Sequence, residues 1–349
     1  ATCENRSLEV TMAATIGDVA RVAGVSRSTV SYALSGKRAI SEETRTRIQE
    51  AIEQLGFTPN AGARALATSQ TNVLGLYLQF EEDEFAPAML QYVLPVSTTA
   101  RDHGYDLLMV TDPDLVNAVR RTTSSAMVDG AVLLDVTYDD VRLEPLRGAT
   151  QPAVLIGYAR NGEGFDSFDL DFGEAARLIV DHLAALGHRD IVLITPPRQV
   201  YDRGGSYAWR FRDAAVERAA RYGMRLAPHY GESRQPGIVD ELDAALAASP
   251  DATAIVVHND ATIAALPSYL DKRGIRCPDD LSVIGVFSQD FAQAFSLPFT
   301  AVETSPDALG QEAVRRLILR ITAPEQAGAP VVRFIEPALV DRGSTRAVG

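Results

Sequence analysis

Residues 24–36 read GVSRSTVSYALSG, a stretch with an arginine, a phenol and several hydroxyls but no carboxylate, in a chain of formal net charge -13. At helical spacing Arg27, Ser28, Ser31 and Tyr32 share one face, and Val30, Ala33 and Leu34 share the opposite one. The polar face suits base edges in a DNA major groove: arginine pairs bidentately with guanine, while serine and tyrosine donate or accept. A carboxylate there would face phosphates on both groove walls. A capped surface helix rich in serine and threonine has the same local pattern, so the neighbouring elements must decide.

Those neighbours are helices. Thr15 caps a helix starting at Ile16, with Asp18 in its first turn and Val19, Ala20 and Ala23 as its apolar stripe. Gly24 stops it, Ser26 caps the next helix and Gly36 closes that one. Ser41 starts a third helix that turns Ile48, Ile52 and Leu55 inward and ends at Gly56. Helix, glycine turn, helix is the helix-turn-helix pattern. Next comes FTPNAGARALATSQTN, in which Pro59 blocks continuation and Asn60 caps a segment running through Ala61–Ala67. Its residues are small, with Leu66 the one large apolar side chain, so it orders only against something else. Residues 15–70 carry seven Lys/Arg against five acids, and almost all the negative charge lies downstream. That distribution confines contact with a polyanion to one end.

Other chemistry is thin. No G-x-G-x-x-G, G-K-[ST] or H-E-x-x-H occurs, and RGGSYA (203–208) lacks the nucleophile elbow. DSFDLDFG (166–173) hints at a calcium loop but has the wrong spacing and no closing glutamate. Phe168, Leu170 and Phe172 in it alternate as a half-buried strand edge would. His182 and His188 belong to a helix end and its turn rather than to a metal site. No catalytic residue, metal or cofactor is expected, and the chain is not expected to be an enzyme. Cys3 and Cys277 fit no disulfide framework, no membrane-spanning run occurs, and ATCENRSLEVTMAA is unlike a signal peptide. These features point to the cytoplasm, with residues 1–14 as a disordered lead-in.

From Val73 onward, apolar strands recur between helices: VLGLYL (73–78), DLLMV (106–110), GAVLLDV (130–136) and AVLIGY (153–158), then IVLIT (191–195), TAIVVH (253–258) and SVIGVF (282–287). Such runs imply parallel sheets covered on both faces, in two series and so in two lobes. Ligands bind beyond the carboxyl ends of such strands, here between the lobes.

TIGDVARVAGVSRSTVSYALSGKRAISEETRTRIQEAIEQLGFTPNAGARALATSQTNVLGL (15–76) closely resembles the start of LacI/GalR (lactose-repressor-type) transcription regulators. DHLAALGHRDIVLI (181–194), HNDATIAAL (258–266), GIRCPDDLSVIGV (274–286) and EPALVDRGST (336–345) extend the resemblance. It implies an α/β protein with an N-terminal all-α helix-turn-helix head and a two-lobed, periplasmic-binding-protein-like, doubly wound core. The expected parts are a head at 15–59, a hinge helix and linker at 60–71, an N-terminal lobe at 72–159 plus 291–323, and a C-terminal lobe at 160–290 plus 324–345. A homodimer would bind a pseudo-palindromic operator. Arg27, Ser28, Ser31 and Tyr32 would meet bases, Leu66 would wedge into the minor groove, and Thr15, Ser26, Thr29, Asn60 and Arg64 would contact the backbone. Tyr32 often gives way to arginine in the family, so that arginine's base preference does not transfer.

A small-molecule effector would bind between the lobes, near Tyr158, Asp171, Asn259, Asp260, Phe287 and either Arg210 or Arg212. Many sugar-binding relatives have aspartates after the strand at 283–286, where this chain has Phe287, Ser288 and Gln289; that weakens the sugar assumption. QFEEDEF (79–85) reads as a solvated acidic loop, or as part of a pocket for a cationic ligand. The expected function is a repressor whose operator affinity the effector modulates. The alternative is a solute-binding receptor of the periplasmic type, which has no use for residues 15–67.

Overall fold

The computed structural model describes residues 14–35, 38–57, 70–81 and 85–348. The chain divides into two compact units, residues 1–71 and residues 72–349. Gly36, and the segment with Asn60, Arg64 and Leu66 that was expected to form the hinge helix, lie outside the described residues, as do residues 1–13 of the expected lead-in.

The first unit holds α1 (Ile16–Ala23), α2 (Arg27–Ser35) and α3 (Glu42–Leu55). Thr15 and Asp18 close a reciprocal capping box: the Asp18 N–H donates to Thr15 Oγ1 at 3.3 Å and the Thr15 N–H donates to Asp18 Oδ2 at 3.0 Å. Hydrogen bonds from Thr15 and Arg21 hold the Asp18 carboxyl down to about 2. Gly24, at φ 65°, and Gly56, at φ 58°, end α1 and α3 in the left-handed region that glycine enters without a Cβ clash. Val19, Ala20, Ala23, Val30, Ile48 and Ala51 form the core, with Ala33, Leu34, Ile52 and Leu55 packed against it. Three helices this short are stable only through that shared core.

The second unit contains two six-stranded sheets. The first is built from β1 (Val73–Tyr77), β2 (Asp106–Val110), β3 (Gly130–Leu133), β4 (Ala153–Ile156), β5 (Asp166–Leu170) and β11 (Val332–Ile335), in the order β11-β5-β4-β3-β1-β2 and parallel throughout. The second is built from β6 (Asp190–Thr195), β7 (Arg225–Tyr230), β8 (Ala254–Val257), β9 (Ser282–Val286), β10 (Thr300–Glu303) and β12 (Ala338–Val340), in the order β12-β10-β9-β8-β6-β7, with only β12 antiparallel. The helices α4 (Ala86–Asp102), α5 (Leu115–Ser124), α6 (Leu143–Arg147), α7 (Phe172–Ala185), α8 (Arg198–Asp202), α9 (Ser206–Arg221), α10 (Gly237–Ala248), α11 (Asp260–Arg273), α12 (Gln289–Ala294), α13 (Pro306–Thr322) and α14 (Pro324–Ala327) complete the unit. Every residue of β1 after Val73, and all of β3, β4, β8 and β9, is buried, as strands covered on both faces require.

Strand pairing shifts the expected lobe boundaries. Residues 160–170 were expected in the C-terminal lobe, yet β5 pairs with β4 in the first sheet. β10 lies in the second sheet, so residues 291–303 leave the N-terminal lobe, while β11 takes residues 332–335 into it. α13 stays in the N-terminal lobe, where Leu309, Ala313, Val314 and Leu317 pack with Leu74, Leu76 and Val132. The chain thus crosses between lobes after Leu170, after Glu303 and after Ile335. β5 is not a half-buried edge either. All five of its residues are buried and it lies between β4 and β11, while Phe172 starts α7. Its two aspartates tolerate burial because distant arginines meet them. Asp166 bonds Arg316 Nε at 2.9 Å and Arg320 Nε at 2.6 Å, and Asp169 bonds Arg210 Nη2 at 2.6 Å.

Candidate functional site

On α2, Arg27 and Ser28 are exposed, Tyr32 is 37% exposed, and Thr29 and Ser31 are half-buried. The first turn has no acid. Ser26 Oγ accepts the Thr29 N–H at 3.1 Å and shares hydrogen bonds with Ser28 Oγ at 2.7 Å and Thr29 Oγ1 at 2.8 Å. These bonds fix the start of α2. The Arg27 guanidinium folds back over Gly17, where an added Cβ would sit 2.8 Å from Nη2. The arginine therefore spans α1 and α2, and its long stem lets it swing outward.

In the second unit, the strand orders reverse direction between β1 and β3 and between β6 and β8. Loops leaving those strands part at such points and open a crevice. A cavity of about 180 Å³ lies there, walled by Leu134, Asp135 and Val136 after β3, by Pro196 and Pro197 after β6, and by His258, Asn259 and Asp260 after β8. Tyr92 of α4, Asp169 of β5, Phe172 of α7 and Tyr207 of α9 also line it. The lobes meet around this space. Asp135 pairs with Arg203 at 3.8 Å, the Tyr138 N–H donates to the Gly204 carbonyl at 2.9 Å, and Ser288 Oγ bonds Gln91 Oε1.

Asn259 and Asp260 are the two sequence-predicted residues on the cavity wall. Asn259 also caps α11, its Oδ1 accepting the Thr262 N–H at 2.9 Å. Arg210 and Arg212 diverge. Arg210 reaches across to Asp169 on the wall, with its guanidinium over Tyr158, Phe172 and Phe334 at 5.1–5.6 Å. Arg212 bonds its neighbour Asp213 at 2.8 Å and stacks over Trp209 at 4.3 Å, and neither arginine itself lines the cavity. Tyr158 packs on Phe334, Asp171 caps α7 by accepting the Glu174 N–H at 2.9 Å, and Phe287 is buried beside Phe291; none of the three lines the cavity. Sequence reading missed Asp135, Asp169 and His258. The two aspartates sit in or beside apolar strands, and His258 had no motif beyond its place before Asn-Asp. Of the histidines singled out in the sequence, His182 bonds Thr345, and His188 bonds Thr253 and the Arg346 carbonyl. Among the described residues, no group of three His, Cys, Asp or Glu side chains is placed to hold a metal ion.

Burial sets the cleft's electrostatics. It pushes Asp169 up to about 6 against the pull of Arg210, Asp260 up to about 7, and His258 down to about 3. The folded chain therefore holds a proton on Asp260 that the unfolded chain has released between about pH 4 and pH 7. That contribution to stability is complete below about pH 4 and disappears as pH rises through 7. His258 acts oppositely, its contribution being complete above about pH 6.5 and lost as pH falls toward 3. Asp260→Asn is expected to remove the first limb alone, so that thermal melts show the variant gaining on wild type from pH 5 to pH 8. A gap constant with pH would contradict the burial of Asp260.

The head has an acid-free second helix, and the body has a ligand-sized cleft at two switch points. Together they define the class: a helix-turn-helix unit joined to a two-lobed sensor-type body. The comparisons agree. Residues 15–60 match the bacterial regulatory proteins of the lacI family, and residues 180–345 match the periplasmic binding protein-like domain. The HTH-type transcriptional repressor PurR of Actinobacillus pleuropneumoniae serotype 3 (strain JL03) is 28% identical over 342 residues, covering 95% of this chain and 98% of its own. The HTH-type transcriptional regulator CelR of Thermobifida fusca is 29% identical over 336 residues, with the same coverage. Among solved structures, the lac repressor dimer bound to operator and the anti-inducer ONPF aligns with a TM-score of 0.80 and 25% identity, covering 96% of this chain and 99% of that one. Residues 15–60 thus carry a lacI-type DNA-binding head, and the chain is a DNA-binding transcriptional regulator.

Proposed function

We propose that the protein is a cytoplasmic repressor that binds a pseudo-palindromic operator as a homodimer and is tuned by a small molecule in its cleft. The exposed, carboxylate-free face of α2 carries this reading. Arg27, Ser28, Ser31 and Tyr32 would read base edges, with Thr15, Ser26 and Thr29 against phosphates. Leu66, Asn60 and Arg64 would act in the minor groove and on the backbone beside it. The lac repressor relative is a dimer on its operator, and a CelR relative of 25% identity and TM-score 0.67, covering 95% of this chain and 99% of its own, is a complex with cellobiose. Both support a regulator that pairs on DNA and answers to a ligand. The body's role is binding rather than catalysis. A ligand touching both lobes favours one lobe arrangement, and a coupling of about 1–3 kcal/mol between cleft and operator makes a useful switch.

The test is selection of an operator from a library of twofold-symmetric duplexes. Binding to the selected site should fall steeply with salt, as counterion release dictates. Arg27→Ala should then cost about 1–3 kcal/mol, concentrated at one base pair of each half-site. Failure to prefer any symmetric duplex over random DNA would overturn the reading. Unchanged binding by Arg27→Ala would remove only that residue's role.

A further inference from the structure

The cavity's charged wall is acidic. Asp135, Asp169 and Asp260 line it, and no lysine or arginine among the described residues does. Two of these carboxylates already have partners, Arg203 at 3.8 Å and Arg210 at 2.6 Å. Asp260 has no ion pair among the described residues. On the same wall is His258, only 6% exposed, whose Nδ1 is buried with no hydrogen-bond partner among the described residues. A buried polar atom left unmatched is costly, and natural sites seldom keep one unless a ligand or water completes it. The ring of His258 is fixed by Phe211 at 4.3 Å, and by Phe172 and Tyr207 at 5.6 Å.

We propose that the effector carries a protonated amine on an apolar or aromatic body, with the ammonium donating to the Asp260 carboxylate and to His258 Nδ1. An ammonium has three donors and no acceptor, and a neutral imidazole in its Nε2–H form offers Nδ1 as an acceptor. Tyr92, Phe172 and Tyr207 supply ring faces for the cation and the apolar body. Burial keeps the His258 ring neutral and raises the Asp260 carboxyl, so a cation arriving there draws the carboxylate into its charged form. Among the described residues, an anionic effector has no lysine or arginine to meet on this wall. The inference rests on the reading of the cleft as the effector site and specifies its ligand chemistry.

The full chain is titrated, by calorimetry and by thermal shift, with amine and alcohol pairs that share one body: tyramine and tyrosol, tryptamine and tryptophol, cadaverine and 1,5-pentanediol. In at least one pair the amine should stabilise saturably and bind about tenfold or more tighter than its alcohol, as a charge-assisted hydrogen bond predicts. Asp260→Asn should abolish that difference while still binding the alcohol, and Asp260→Glu should keep the preference. The alcohol titration shows that the cleft of each variant is intact. The proposal is overturned if no pair favours the amine, or if the preference survives in Asp260→Asn. Operator binding measured on the same preparations separates the two conclusions. Intact operator binding without amine preference removes only the ligand class, whereas loss of operator binding removes the regulatory reading.

Discussion

Arg210→Met is expected to destabilise the second unit by about 3–5 kcal/mol at pH 8, read from urea denaturation, and by less at pH 5. Arg210 belongs to α9 in the C-terminal lobe, and its partners belong mainly to the other lobe. Nη2 bonds Asp169 Oδ2 at 2.6 Å and the Leu170 carbonyl at 3.0 Å. The guanidinium also lies 5.1 Å from the Phe334 ring and 5.6 Å from the Tyr158 ring. Methionine fills much of the volume but leaves Asp169, 6% exposed, without its cation. An unpaired buried carboxylate raises its pKa further and takes up a proton, so the loss shrinks as pH falls and grows as pH rises. Asp169→Asn combined with Arg210→Met should recover much of the loss, because the double variant buries no lone charge. A change in the single variant below about 1 kcal/mol at pH 8, the range of exposed pairs, would mean the pair does not act as a buried one.

The second large effect lies within one lobe. Arg142 is 6% exposed and Asp140 is 2% exposed, and the Arg142 guanidinium meets both Asp140 oxygens, through Nε at 2.8 Å and Nη2 at 2.5 Å. It also donates to the Leu134 carbonyl at 2.9 Å and the Asp135 carbonyl at 3.0 Å. Asp135, on the cavity wall, has φ 49°, a left-handed conformation that costs a non-glycine residue about 1–3 kcal/mol unless its surroundings impose it. Arg142 helps impose it. Arg142→Met should therefore cost about 3–5 kcal/mol and loosen the wall around Asp135. The two variants should differ in how ligand alters them. A ligand that closes the lobes should restore part of the stability lost in Arg210→Met, where the broken contact crosses the cleft, and restore less in Arg142→Met. Thermal shift with a saturating ligand measures that difference.

The head was legible because its determinants are local. Thr15, Ser26 and Ser41 as caps, Gly24 and Gly56 as stops, and Val19, Val30 and Ile48 as inward residues all lie within a few positions of what they control. The apolar strands β1 to β4, β6, β8 and β9 were legible for the same reason. Strands such as β7, with Pro228 at the edge of its sheet, and β10 to β12 gave weaker patterns and were not identified as strands.

By itself, the sequence determined the helix-turn-helix head, its lacI-type character and the two alternating α/β series. Tertiary structure alone decided that β5 is interior, that Arg210 rather than Arg212 pairs with Asp169 of the cavity wall, and that Asp260 and His258 share a wall that no lysine or arginine among the described residues lines. The reason is separation along the chain. Asp166 meets Arg316 across 150 positions and Asp169 meets Arg210 across 41, so whether a carboxylate is solvated or buried and paired depends on where the chain crosses between lobes. Periodicity carries no record of those crossings; only the packed sheets do.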